Sequence, residues 1–236
     1  MSDSVDEAIA ALEGYLRRYP SGHFAELAQV RLDRLLAQRG ERRIIPAAPA
    51  TPFTKGLAVA DTGHRVGDRY EQRVVDLMTG IGRTETLVVT AVTDLQIVYN
   101  DGRLILDPLG NPILQADGKR FADTQHFPSE FVVGKKWSTR YKITTSQGLV
   151  DFISIDYTIQ GREMVSTPAG TFDAFRVEGK GWAGRGGRRE FRYWAAPDKV
   201  RRFIVNEHKW WDQRNAPFRN QRTELISFQE SRTAPA

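Results

Sequence analysis

The sequence predicts an α+β protein: an N-terminal helical hairpin followed by a curved antiparallel β-meander, half-barrel or barrel-like in form. Three observations carry this. Apolar residues recur at helical spacing in two short segments near the N-terminus. From about residue 66 onward apolar and polar residues alternate instead, and Gly-containing turn signals separate the alternating runs.

Residues 4–39 read as two helices. Ser4 and Glu7 have the spacing of a capping box, and Val5, Ile9, Leu12, Leu16 and Tyr19 follow at intervals of 4, 3, 4 and 3. Pro20-Ser21-Gly22 interrupts the pattern. Phe24, Leu27, Ala28, Leu32, Leu35 and Leu36 then carry a second helix, with Gly40 as its stop. Residues 41–62 hold Pro46, Pro49 and Pro52 among alanines, which is linker composition. The expected division is therefore a helical hairpin over 1–40, a Pro/Ala-rich linker over 41–62 and a β-domain over 63–236.

In the β-domain, Trp137, Thr139, Tyr141 and Ile143 share one face of a strand, and Ile153, Ile155, Tyr157 and Ile159 share a face of the next. Thr86 to Val92 is rich in Thr and Val, as a half-buried strand is. Turns are signalled at Thr79-Gly80, Asn100-Asp101-Gly102, Ala116-Asp117-Gly118, Gln147-Gly148, Gln160-Gly161 and Ala169-Gly170. Short gaps make neighbours antiparallel, giving roughly eight to eleven strands that must close or be covered.

Composition narrows function by exclusion. With 40% hydrophobic and 10% aromatic residues the chain is globular rather than disordered. No stretch approaches the roughly 20 apolar residues of a membrane helix. No cysteine is present, which removes disulfides, thiolate nucleophiles and cysteine metal sites. Met1 is followed directly by Ser-Asp-Ser-Val-Asp-Glu. The expected location is thus cytoplasmic, or periplasmic and envelope-associated if a leader was removed. The net charge of +5 is uneven: Lys180–Arg222 holds 12 Lys/Arg against 4 Asp/Glu. Such a region is a candidate surface for nucleic acid or another anionic polymer, though solvent faces of antiparallel strands produce the same count.

Catalytic patterns are scarce. His23, His64, His126 and His208 lack metal-ligand spacing, and solvated roles are expected for His23 and His208. Gly181-Trp-Ala-Gly-Arg-Gly-Gly187 lies between strands rather than before a helix, so it reads as a hairpin tip and not a phosphate cradle. Asp156 and Glu190 are the carboxylates a spatially assembled hydrolase would use; an outward, solvated Asp156 is the simpler reading. Aromatic residues are more suggestive. Trp182, Trp194, Trp210 and Trp211, with Tyr193 and Arg192, form a late aromatic and basic group suited to a ligand or partner. Trp210 and Trp211 are consecutive, so in a strand they point to opposite faces.

Two segments resemble known families. Tyr15-Leu-Arg-Arg-Tyr-Pro-Ser-Gly-His-Phe24 with Ala25-Glu-Leu-Ala28 resembles a single bacterial tetratricopeptide-like helix pair. One such unit cannot bury its own apolar face, so Leu12, Leu16, Phe24 and Leu27 are expected to meet a protein partner, a second copy or the chain's own β-domain. Val165-Ser-Thr-Pro-Ala-Gly-Thr-Phe-Asp-Ala-Phe-Arg-Val177, followed by Tyr193-Trp-Ala-Ala-Pro197, resembles the hairpin of uncharacterised bacterial envelope β-domains, some of them lipoprotein-carrier-like half-barrels. That resemblance implies a fold and envelope residence, and transfers no catalytic residue. The functional expectation is a non-catalytic binding or assembly module of the bacterial envelope, with no cofactor and no metal, taking a protein partner or a lipophilic ligand on an aromatic-lined sheet face. Nucleic-acid binding through residues 180–222 and carboxylate hydrolysis are the alternatives.

Overall fold

The structure is a computed structural model and describes residues 2–20, 23–41 and 56–231. Among these residues two helices, α1 (Ser2–Arg18) and α2 (His23–Gln38), precede fourteen strands. These are β1 (Ala58–Val59), β2 (Arg69–Asp76), β3 (Gly82–Val92), β4 (Ile97–Tyr99), β5 (Leu104–Leu106), β6 (Pro112–Leu114) and β7 (Arg120–Ala122). They continue as β8 (Glu130–Phe131), β9 (Lys136–Thr144), β10 (Val150–Thr167), β11 (Gly170–Ala183), β12 (Arg188–Ala195), β13 (Phe203–Trp211) and β14 (Pro217–Gln229).

β2–β7 and β9–β14 form a closed barrel in meander order, with β14 returning to pair with β2. The half-barrel alternative is corrected: among the described residues the sheet is complete. Strands β4–β7 have three residues each and carry it across the gap a half-barrel would leave. They also raise the number beyond the expected eleven, because a three-residue strand is too short to display an alternating pattern. β8 leaves the barrel and pairs with β1.

α1 starts at Ser2, two residues ahead of the expected Ser4, within a Ser-Asp-Ser run in which every residue type can cap. α2 ends as expected at Gly40, whose φ is +72°. The Glu41 N–H donates to Leu36 O at 2.9 Å and the Gly40 N–H to Ala37 O at 3.1 Å, the paired bonds of a Schellman stop. Ile9 and Leu32 are buried, Leu12, Leu16 and Leu27 half-buried, and Phe24 exposed. The pair rests on the chain's own β-domain through α2. Glu26 accepts from the Ser129 N–H at 2.6 Å, from the Ser129 hydroxyl and from Lys135 Nζ at 3.0 Å, while Arg34 donates to Thr62 O at 3.0 Å. Residues 42–55 of the expected linker lie outside the described residues; its later part supplies β1.

One end of the barrel is stoppered by the segment between β7 and β9. Asp107 and Asn111 hold it. Asp107 accepts from the backbone N–H groups of Leu109 and Asn111 and from Asn111 Nδ2, all at 2.9 Å, which aims Asn111 Oδ1 at the N–H groups of His126 (2.6 Å) and Phe127 (2.8 Å). Phe127 and Phe131 then pack into the core with Tyr141, Ile155, Tyr157, Val177 and Tyr193. A second buried group gathers Tyr70, Val89, Ile97, Tyr99, Phe172 and Ile204.

The Thr167-Pro-Ala-Gly170 hairpin turns on Pro168 and Ala169, one residue earlier than expected, since Thr167 pairs with Gly170. Gly170 has φ +132°, a conformation L side chains avoid. Phe172 and Phe175 enter the two different buried groups. In the Gly-rich run, Gly181 lies within β11 and the tip is 184–187. Gly181 is required by close approach: a Cβ there would stand 1.8 Å from Ser154 O. At Gly179 it would meet the Tyr157 ring at 2.2 Å.

The seam between β14 and β2 is fastened by Arg201, in the β12–β13 connection. Its guanidinium, 3% exposed, meets Asp61 Oδ2 and Asp68 Oδ2 at 2.9 Å each and Glu230 Oε2 at 4.0 Å. Tyr70 Oη donates to Glu230 Oε1 at 2.8 Å, and the Ser231 N–H to Asp68 Oδ1 at 2.8 Å. Burial by itself would lower the Arg201 pKa; the three carboxylates more than offset this and hold it above the ordinary value.

Arg201→Met leaves three carboxylates short of their cation and is expected to cost about 3–5 kcal/mol in urea unfolding. Gly181→Ala is expected to cost at least about 3 kcal/mol. Gly161→Ala, where a Cβ meets nothing within 4 Å, should change the unfolding midpoint little.

Candidate functional site

Cross-strand register decides which of the late aromatic residues meet. Tyr157, Gly179, Phe191, His208 and Gln221 are successive partners across β10–β14, so they occupy one face. Ile155, Gly181, Arg189, Trp210 and Arg219 form the parallel row next to it, one step nearer the end of the barrel opposite the stopper. Tyr157 and Phe191 are core residues, which makes this the inner, concave face.

The sequence-selected group therefore divides. Tyr193 is buried on the inner wall, where its hydroxyl donates to His126 O at 2.7 Å. Trp210 also lies inside, packed against the core. Trp211 takes the other face, as two consecutive strand residues must, and lies under the Arg188 guanidinium at 3.8 Å. Trp182, 63% exposed, pairs with Arg188 on that outer wall. Trp194 donates through Nε1 to Glu163 Oε1 at 2.7 Å, and Arg192 bridges to Glu178 (3.4 Å) and Glu207 (3.6 Å), again outside. The structure does not bring these six residues into one site.

It brings a different set together around Trp210. The indole stacks on His208, with ring centroids 6.2 Å apart and planes 8° from parallel. Arg219 sits over it at 4.5 Å and Arg189 at 5.2 Å, and Phe218, 53% exposed, closes the group at 6.1 Å. Arg189 Nη1 donates to the carbonyls of Trp211 (2.9 Å) and Arg188 (3.0 Å); Arg219 Nη2 donates to Gln221 Oε1 at 2.8 Å. Neither guanidinium has a carboxylate within 4 Å among the described residues. Burial lowers both their pKa values, with distant Asp151 and Asp117 pulling the other way. Trp210 Nε1 is buried without a hydrogen-bond partner, an orphan donor that natural cores rarely tolerate.

The outer wall shows the contrast. Arg176, Arg192 and Arg222 alternate with Glu163, Glu178, Glu207 and Glu224 in a lattice of ion pairs running across β10–β14. Of the cations counted over 180–222, Arg192 and Arg222 are paired here, with Glu207 from that region and Glu178 and Glu224 from just outside it. A charged wall of this kind is also the opposite of the apolar band a membrane-spanning barrel turns to lipid. Asp156 is exposed and accepts from Ser138 Oγ at 2.5 Å; Glu190 stands two strands away with Lys180 between them, so the two carboxylates do not converge.

No family model and no curated protein matches the chain. Three solved structures are similar in fold. A protein of Parabacteroides distasonis described as a lipoprotein is 16% identical, with 70% of this chain and 96% of that one covered at a TM-score of 0.45. A protein of Bacteroides fragilis described as exported, with a YmcC-like fold, is 10% identical, with 73% and 100% covered at 0.44. The hypothetical lipoprotein YmcC of Escherichia coli is 9% identical, with 71% and 86% covered at 0.42. These likenesses assign no residue and no activity.

Four functional candidates escaped sequence reading: His208, Arg189, Arg219 and Phe218. His208 was expected to be solvated; it faces inward beside Phe191, at 4.8 Å between ring centroids. Period-two alternation from an inward Trp210 would have placed it, but nothing in the sequence says which tryptophan of the pair is inside. His126 flanks Phe191 from the other side at 5.4 Å, its Nδ1 2.6 Å from Tyr157 Oη. His23 has a side chain outside the described residues. Among the described residues no three His, Asp or Glu side chains gather at metal-binding distance, and no helix is long and apolar enough to cross a membrane.

Burial holds the inward histidines neutral. His126 is pushed down to about 3; His208 likewise to about 3, with Arg219 and His126 adding to burial; His64 falls to about 4, by burial and then Arg201 and Arg202. Their ordinary value is about 6.5, so between pH 6.5 and 4 the unfolded chain binds protons the folded chain refuses. Stability is complete above pH 6.5 and falls on acidification by about 1.4 kcal/mol per pH unit for each histidine. Asp107, raised to about 6 by burial, acts in the opposite sense below pH 6. His208→Phe should flatten the slope by about 1.4 kcal/mol per pH unit in urea titrations from pH 7.5 to 4.5; a slope equal to the parent's would show that His208 is protonated in the fold.

Proposed function

We infer that this chain is a non-catalytic binding module of the bacterial envelope, and that its ligand is a lipophilic molecule carrying an acidic group, held at the open end of the barrel. The observation that carries this is the Trp210 group: an aromatic surface made of Trp210 and Phe218, two guanidiniums without carboxylate partners, and one buried indole N–H without an acceptor. An apolar body covers the rings, and an anionic head supplies the counter-charge that the arginines lack and the acceptor that the indole lacks. The envelope part of the reading rests on the resemblance of Val165 to Val177 and Tyr193 to Pro197 to envelope β-domains.

The test uses two fluorescent probes of similar apolar size, anilinonaphthalene sulfonate and neutral N-phenylnaphthylamine. The parent is expected to bind the anionic probe more tightly. Arg189→Gln with Arg219→Gln should weaken the anionic probe by about tenfold or more and leave the neutral one nearly unchanged, while Trp210→Ala should weaken both. Equal affinity of parent and arginine variant for the sulfonate would overturn the assignment.

A further inference from the structure

We propose that the turn end of the barrel, opposite the stopper and the helix pair, is a docking surface for an anionic lipid bilayer. Three observations support it, and none involves the Trp210 ligand.

First, exposed apolar side chains concentrate there. Leu77, Met78 and Ile81 (72% exposed) lie on the β2–β3 turn, Leu149 on the β9–β10 turn and Trp182 (63%) beside the β11–β12 turn. Isolated exposed apolar residues need no explanation, but a ring of them around one end does.

Second, these turns form one continuous rim. The Gln213 side chain donates to Arg185 O, the Gly184 N–H to Phe152 O at 2.6 Å, and the Leu77 N–H to Asn220 O at 2.7 Å. A Cβ on Gly118 would come within 3.0 Å of Ser146, so the β6–β7 and β9–β10 turns also touch. The apolar tips thus stand on turns that touch one another.

Third, exposed arginines stand on the rim, while its carboxylates Asp76, Asp151 and Asp212 accept from backbone N–H groups of the turns. Arg120, Arg185 and Arg214 are exposed there and have no carboxylate within 4 Å among the described residues.

Separate apolar tips interleaved with arginines suit a bilayer better than a protein. A protein partner needs a continuous complementary patch, whereas the lipid interface accepts separate side chains inserted to one depth, with tryptophan at the headgroup level and arginines on anionic phosphates. Each arginine near an anionic surface adds attraction that salt screens.

Flotation with vesicles of phosphatidylcholine alone and with 30% phosphatidylglycerol tests this on the full chain. Binding is expected to the anionic vesicles at low salt, and to fall in 0.5 M NaCl. Ile81→Ser with Trp182→Ser should weaken it by about tenfold or more, and Arg185→Gln with Arg214→Gln by a similar factor. All four positions are exposed, so an unchanged melting temperature is the check on folding. Trp210→Ala should float like the parent, which separates this surface from the ligand site: loss of probe binding with vesicle binding intact concerns only the latter. No flotation with anionic vesicles at low salt, or flotation that the rim variants leave unchanged, overturns the proposal.

Discussion

Arg201 is where the barrel is fastened. A meander becomes a barrel only when its last strand finds its first, and here that pairing joins β14 to β2 across most of the chain. Asp68 precedes β2, Glu230 follows β14, and Asp61 lies on the approach to the domain; a single guanidinium contacts all three. Charges buried this deeply destabilise unless every partner is present, because each ion has given up its water. The arrangement is therefore intolerant of other registers: a shift of β14 by one residue would remove Glu230 from Arg201 and Tyr70 together. Hydrophobic burial drives the collapse of the sheet, and this network selects which closed sheet results.

Closure then separates two populations of arginine that the sequence presents as one basic region. On the outer wall alternate strands supply glutamates opposite arginines, and the charges cancel in pairs. Inside, at the turn end, Arg189 and Arg219 are backed by tryptophan and by carbonyl or amide oxygens, with no carboxylate within 4 Å among the described residues. Guanidinium tolerates that environment because it stacks on aromatic rings and hydrates weakly, where an ammonium would not. The two ends of the molecule differ: one is filled by the Asn111-anchored segment, and the other carries aromatic and cationic groups.

Much of the fold was legible in particular residues. The alternation of Trp137 to Ile143 and Ile153 to Ile159, the break at Pro20-Ser-Gly22 and the stop at Gly40 each identify an element because they are local signals of backbone geometry. The three-residue strands were not legible, since closure imposes them on segments with no period of their own. At the candidate site, the sequence singled out Trp210 within a group that the structure divides, and required Trp210 and Trp211 to part company. It gave no sign of His208, Arg189 and Arg219 as neighbours of one indole, because that depends on the register of three strands.

What the sequence by itself determined is the local grammar: two helices, many short antiparallel strands, a Pro-Ala hairpin, and no cysteine chemistry. Those features depend on residue-by-residue preferences and periods of two and 3.6. Only the tertiary structure decided that the sheet closes, which face is concave, and which arginines lose their counter-charges. These are outcomes of long-range pairing, set by contacts such as Arg201 with Asp61, 140 positions apart, and no window of neighbouring residues contains them.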